Sequence, residues 1–257
     1  MTTVRYERRG AAAWLVLDRP ERLNAIDPSV VEGLGAGLTR AAEDPSVRVL
    51  VITGAGRAFC AGGDLTALAV LAEGEAERLQ RELLAVLAAI EDCPKPVVAA
   101  VNGTAVAGGL ELVLCCDLVV AVEDARIGDA HATYGLVPGG GATVRLPRRA
   151  GAGMARRLLL TGELLPAAEL VACGLVTWAV PRDRFEREVD LLAERLAGRS
   201  PLAQARVKQL VRDGAEQPQS SALRLEALVA DLHSHSHDRA EGTAAFGERR
   251  PPRFEGR

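Results

Sequence analysis

Apolar positions along the chain fall into two periods. AWLVLDRP (13–20) is an apolar, β-prone run that predicts a strand stopped by Pro20. VRVLVITG (47–54), PVVAAV (96–101), DLVVAV (117–122) and LVTWAV (175–180) read alike. They are short, nearly continuous apolar runs fenced by turn residues, as strands buried on both faces require. Between them the apolar residues return every three or four positions. Val30, Val31, Leu34 and Leu38 do so after Asp27-Pro28, which has the form of an N-cap followed by proline at the first helical position. Leu79, Leu83, Val86, Leu87 and Ile90 form one stripe of a helix over 75–91, and GGLELVLCCD (108–117) predicts a short buried helix. From Asp183 the pattern is helical to near the end, broken at Ser200-Pro201 and Gln217-Pro218.

Strands and helices therefore alternate, in turns of roughly 45 residues, which predicts an α/β fold on a parallel sheet. No linker composition interrupts the chain, so its helical C-terminal part reads as an extension of one domain.

Composition adds limits. Aromatic residues are only 3% of the 257, so Ala, Val and Leu must fill the core. A net charge of -3 offers no basic field, and nucleic acid is not an expected partner. No apolar run reaches the roughly 18 residues of a membrane span, and MTTVRYERRG lacks the apolar core of a secretory signal. Cys60, Cys93, Cys115, Cys116 and Cys173 show no metal-type pairing and read as small buried residues in a reducing compartment. A cytoplasmic protein without a membrane partner and without a metal is the expectation.

Three segments carry chemistry. GAGRAFCAGGDL (54–65) is a glycine-rich loop after a strand, without the Lys-Ser/Thr ending of a P-loop and without GxGxxG. Alone it indicates a tight loop, with or without a ligand. In NGTAVAGGLELVLCCD (102–117), Gly108-Gly109 open a helix whose first N–H groups lack intrahelical partners and can receive an oxyanion. Glu111 follows one turn later among Leu110, Leu112, Val113 and Leu114. It either complements the helix dipole or is a buried acid/base group with a raised pKa. In ARIGDAHATYGLVPGGGATVRLPRRAG (125–151), His131 is either an ordinary loop histidine or a pocket residue. Basic clusters at 145–149, 156–157 and 249–253 read mainly as solvated helix faces and ends, with one or two residues as candidates for ligand phosphates.

AFCAGGDL, NGTAVAGGLELVLCCD and YGLVPGGGATVRLPRRAG, in this order and spacing, resemble the enoyl-CoA hydratase/isomerase (crotonase) superfamily. The resemblance runs from RPERLNAID (19–27) to AAFGERRPPRF (244–254). It implies a core of repeated ββα spiral turns over 1–195 and a helical oligomerisation region over 196–257, assembling a trimer or a dimer of trimers. It implies an acyl-CoA substrate, no cofactor beyond the CoA carried by that substrate, and binding residues Arg22, Ala25, Ala61, Gly63, Asp64, Leu65, Gly108, Pro138 and Gly139. The oxyanion-hole amides would be those of Gly63 and Gly108, each such donor being worth about 3–4 kcal/mol in the transition state. Glycine at both places is expected to let the two N–H groups converge. The 66–90 region would line the acyl pocket.

Hydratases of this family set two carboxylates on one water. The first matches Glu111; at the second, four residues before Gly135, this chain has His131. Imidazole can exchange a proton near neutral pH, so a Glu/His pair can still position water. Hydration of a 2-enoyl-CoA is the leading expectation. Isomerase, hydrolase or decarboxylase chemistry on a CoA thioester is the alternative, and a catalytically silent acyl-CoA-binding trimer a third.

DLHSHSHD (231–238) carries three histidines two apart. On one helix only 233 and 237 share a face, which favours a helix end over a metal clip.

Overall fold

The computed structural model describes residues 2–70 and 72–257. The chain opens with the hairpin β1 (Val4–Arg9) and β2 (Ala12–Leu17), then α1 (Pro28–Glu43). Asp27 caps α1 by accepting a hydrogen bond from the Val30 N–H at 3.0 Å, with Pro28 at the first helical position. There follow β3 (Val49–Gly54), β4 (Ala58–Cys60), the short α2 (Leu65–Leu68) and α3 (Glu75–Asp92). The next turn is β5 (Val97–Val101), β6 (Thr104–Val106) and α4 (Gly108–Cys115), and the third is β7 (Leu118–Val122), β8 (Arg126–Gly128) and α5 (Ala142–Thr161). After them come β9 (Leu164–Pro166), β10 (Trp178–Val180), α6 (Phe185–Ala197), α7 (Pro201–Gly214), α8 (Gln219–Ser234) and α9 (His237–Glu248).

Each turn sends one strand into each of two sheets and returns through a helix. The larger sheet has the order β1-β2-β3-β5-β7-β10, parallel except for β1 against β2. The smaller has the order β4-β6-β8-β9, parallel except for β9. This is the ββα spiral. The expected even turn of the spiral is corrected: β5 to β7 spans less than half the chain of β3 to β5, because α4 is short and α3 with its preceding loop is long.

The inner strands of the larger sheet, β2, β3, β5 and β7, are buried on both faces, which explains why they are continuous apolar runs and do not alternate. Leu15, Leu50, Ile52, Ala99 and Ala121 face a core built with α1, α3 and α4. Trp14, Val16, Val51, Val98 and Val120 face Val189, Leu192 and Ala193 of α6.

Two further expectations are corrected. The strand over 175–180 is only Trp178–Val180; Leu175 and Val176 are buried without pairing, and Trp178 lies on the sheet's edge, 44% exposed. His233 lies in α8, His235 is the C-cap of α8, and His237 starts α9, so 233 and 237 share no helix face. Among the described residues no helix is long and apolar enough to cross a membrane. No group of three or more His, Cys, Asp or Glu there could hold a metal.

Candidate active site

Two backbone segments meet where the spiral's second turn crosses its first. One is the loop 61–64 after β4; the other is the start of α4. Loop 61–64 is pinned to the chain before α1: the Ile26 N–H donates to the Gly62 carbonyl at 2.7 Å and the Asp64 N–H to the Ile26 carbonyl at 2.9 Å. That alternation leaves the Gly63 N–H turned away from the bridge. Gly108 is the first residue of α4, so its N–H has no carbonyl one turn back. Among the described residues neither N–H has an acceptor, and both glycines line one cavity.

The close approach does not rest on Gly63 and Gly108 themselves, which corrects the expectation. A Cβ on Gly63 would meet only the Leu68 Cδ1, at 3.3 Å; one on Gly108 would press on the flexible Ile26 Cδ1 at 3.0 Å and touch the Gly62 backbone at an ordinary 3.5 Å. It rests on Gly62. There φ is +90°, and a Cβ would fall 2.9 Å from the Ala107 Cβ, 3.0 Å from the Val106 carbonyl oxygen and 3.3 Å from the Gly108 nitrogen. Ala107, which directs the Gly108 N–H, has φ 52° and ψ -115°. An alanine so placed stores about 1–3 kcal/mol of backbone strain.

Glu111 is 2% exposed, in a helix whose eight residues are all buried. Its Oε1 accepts the Gly140 N–H at 2.7 Å and the Ala142 N–H at 3.1 Å, from the start of α5. Gly140 makes room for this: a Cβ there would lie 2.4 Å from Glu111 Oε2. Burial pushes the Glu111 carboxyl above its usual pKa, against the lowering effect of these N–H groups and of His131. The 139–141 turn is held from behind by Arg145, which donates to the Gly140 carbonyl at 2.7 Å and to the carboxylate of Glu91 in α3 at 2.8 and 2.5 Å.

His131 follows Ala130, whose φ of 59° folds the chain back on itself. Its Nδ1 lies 2.9 and 3.0 Å from the two oxygens of Asp129, which is fully buried. A carboxylate only accepts, so Nδ1 carries the hydrogen and Nε2 is the nitrogen left for the cavity. The Asp129 hydrogen bond raises the imidazole pKa, against burial, and the Glu111 carboxylate raises it further.

The cavity, about 260 Å³, brings together Ala61, Gly63, Leu65, Gly108, Glu111, His131 and Gly139 of the expected residues. Leu68, Ala76, Leu79, Gln80 and Leu83 of the 66–90 region close one side, and Tyr134, Leu136 and Val137 form its mouth. Four expected residues lie outside it. Arg22 is exposed at the end of a short 3-10 turn, and Pro138 is half-buried beside the cavity wall. Ala25 is buried, its carbonyl accepting from Arg19 at 2.6 Å. Asp64 caps α2 through the Ala67 N–H and pairs with Arg19 at 3.0 Å; these partners hold its carboxyl below the usual range.

The basic clusters lie mostly at the surface, as expected, while Arg145 and Arg149 are drawn into the fold. Arg149 donates to the Cys116 carbonyl at 2.7 Å, whereas Arg157 with Glu163 and Arg250 with Glu241 and Glu248 form exposed ion pairs. Cys60, Cys93, Cys115 and Cys116 are buried free thiols; Cys60 and Cys116 are pushed up to about 12 by burial, which makes them inert as nucleophiles. Gln80 is a pocket residue that no sequence motif singled out, and Asp129 stands behind His131 without lining the cavity. Asp129 is separated from His131 by one residue, but only the backbone at Ala130 turns the two side chains together.

A family model described as enoyl-CoA hydratase/isomerase matches residues 7–257. A probable enoyl-CoA hydratase of Rhodobacter capsulatus is 39% identical over 99% of this chain and 98% of that protein. A crotonyl-CoA hydratase of Syntrophomonas wolfei is 35% identical, covering 96% of each chain. The crystal structure of an enoyl-CoA hydratase from Bacillus anthracis superimposes with a TM-score of 0.96 at 33% identity, over 99% of this chain and 100% of that one. With a spiral core, two unpaired N–H groups facing one cavity and a buried glutamate beside them, the chain belongs to the enoyl-CoA hydratase/isomerase family.

Proposed function

We propose that this enzyme adds water across the double bond of a 2-enoyl-CoA, using a histidine–aspartate pair where its family has a second carboxylate. The observation that carries the reading is the convergence of the Gly63 and Gly108 N–H groups, Glu111 and His131 on one cavity. The thioester oxygen accepts from the two N–H groups. Glu111 takes a proton from water as the water oxygen bonds to Cβ, and the π pair moves onto the thioester oxygen as an enolate. His131, protonated with the help of Asp129, gives a proton from Nε2 to Cα as the enolate collapses. The product is the 3-hydroxyacyl-CoA, and a solvent proton exchange resets the pair. The N–H groups are fixed before the reaction, so they stabilise the enolate without reorganising.

The CoA moiety would leave past loop 61–65, near Arg22 and Ala25. Residues 196–257 would form the oligomerisation region. Val207 and Val211 of α7, Leu228 and Leu232 of α8 and Phe246 of α9 are all more than half exposed, a larger apolar surface than a terminal extension needs. A homotrimer would cover it, and sedimentation at micromolar concentration tests this directly.

The decisive measurement is loss of the conjugated enoyl-thioester absorbance with crotonyl-CoA and longer enoyl-CoAs, for the wild type and Glu111→Gln. Turnover that the variant lacks is expected. A folded protein that binds acyl-CoA but consumes none of these enoyl-CoAs would remove the reading.

A further inference from the structure

Among the described residues, Gln80 is the one polar side chain that α3 puts on the cavity wall, where its neighbours are Ala76, Leu79 and Leu83. Its Nε2 is buried and has no hydrogen-bond partner among the described residues. A buried amide donor without a partner is costly, about 1–3 kcal/mol, and one retained in a ligand pocket is explained when the ligand supplies the acceptor.

Room has been made for this amide. A Cβ on Gly139 would lie 2.6 Å from Nε2 and 2.8 Å from Oε1 of Gln80. Gly139 has no positive φ, and the space beside it is occupied by the end of the Gln80 side chain in this conformation. The neighbouring residue Gly140 makes the same allowance for the Glu111 carboxylate. The amide and the catalytic carboxylate thus pack against consecutive residues of one turn. Gln80 therefore addresses the acyl chain within a few bonds of the reacting carbons.

We infer that Gln80 is a specificity-determining residue, and that the acyl group this enzyme prefers carries a neutral oxygen acceptor, a ketone or a hydroxyl, beyond the reacting double bond. A carboxylate is disfavoured at that place because Glu111 and Asp129 outnumber the one imidazole, and no lysine or arginine lines the pocket among the described residues. The inference rests on the acyl pocket proposed above but not on the chemical step.

Binding of saturated CoA thioesters, measured by calorimetry, tests it apart from catalysis. The probes are hexanoyl-CoA, its derivatives with one keto or hydroxyl group at successive carbons beyond Cβ, and the ω-carboxylate. For the wild type, one of the keto or hydroxy derivatives is expected to bind about tenfold more tightly than hexanoyl-CoA, the worth of one buried hydrogen bond. Gln80→Leu should erase that preference and bind hexanoyl-CoA as well or better. If no keto or hydroxy derivative outbinds hexanoyl-CoA, if the ω-carboxylate binds best, or if Gln80→Leu weakens every ligand equally, the inference is overturned. Failure of every ligand to bind would instead reject the acyl-CoA pocket itself.

Discussion

The imidazole Nδ1 of His131 stands 2.9 Å from the carboxylate of Asp129, two residues earlier in the chain and fully buried. The pair puts a raised-pKa acid where the family places a carboxylic acid. Asp129→Asn should lower the His131 pKa, so the high-pH limb of kcat/KM should move to lower pH, with a loss of roughly 10²-fold at neutral pH. NMR titration of the imidazole reads the same shift without substrate. An unmoved limb would make Asp129 a packing residue only. The stability sign follows from the raised folded pKa. The pair's contribution is complete below the unfolded histidine value, about 6.5, and is lost as pH rises through the folded one.

Glu111 moves stability with pH in the same direction, but through a cost and not through the loss of a favourable pair. Its carboxyl pKa is raised by burial, so ionising it in the folded state costs stability as pH rises past the unfolded value of about 4.3. Glutamine keeps a carbonyl for the Gly140 and Ala142 N–H groups and carries no charge. Glu111→Gln should therefore melt higher than wild type at neutral pH, with the gap closing near pH 4, while kcat falls by at least ~10²-fold. Melting curves at the two pH values and steady-state rates check both halves.

The loop glycines should separate cleanly. Gly62→Ala forces a Cβ against the Ala107 side chain and the Val106 carbonyl at positive φ, and should cost about 1–3 kcal/mol together with most activity. Gly63→Ala meets only the end of Leu68 and should fold and turn over nearly as wild type. Denaturant unfolding and kcat on the two variants decide whether the N–H at 63, and not its lack of a side chain, is what matters.

Ala107→Gly probes the strain beside the Gly108 N–H. Relief of about 1–3 kcal/mol of backbone strain outweighs the ~0.5–1 kcal/mol entropy cost of glycine. The variant should be at least as stable as wild type. It should lose kcat more than affinity, because the N–H is less firmly aimed. A parallel fall in stability would show that the alanine methyl packs and is not strained.

Local pattern determined much of this protein. The strands were legible because a sheet buried on both faces needs unbroken apolar runs, and α1 because Asp27-Pro28 is a cap in any context. Burial of Glu111 was legible from the four apolar residues around it, and the unpartnered N–H of Gly108 from its place at a helix start. Tertiary structure decided the rest, because those contacts join residues far apart in sequence or depend on one backbone turn. Glu111 is oriented by N–H groups of Gly140 and Ala142, which no helical period connects to it. Arg145 looked like a surface cation until Glu91 and the Gly140 carbonyl claimed it. Gln80 continued a helix in the sequence and became a pocket wall only when α3 packed beside the 139–141 turn. The position of His131 was open until the αL backbone of Ala130 laid it against Asp129, since a one-residue separation does not by itself say that two side chains meet.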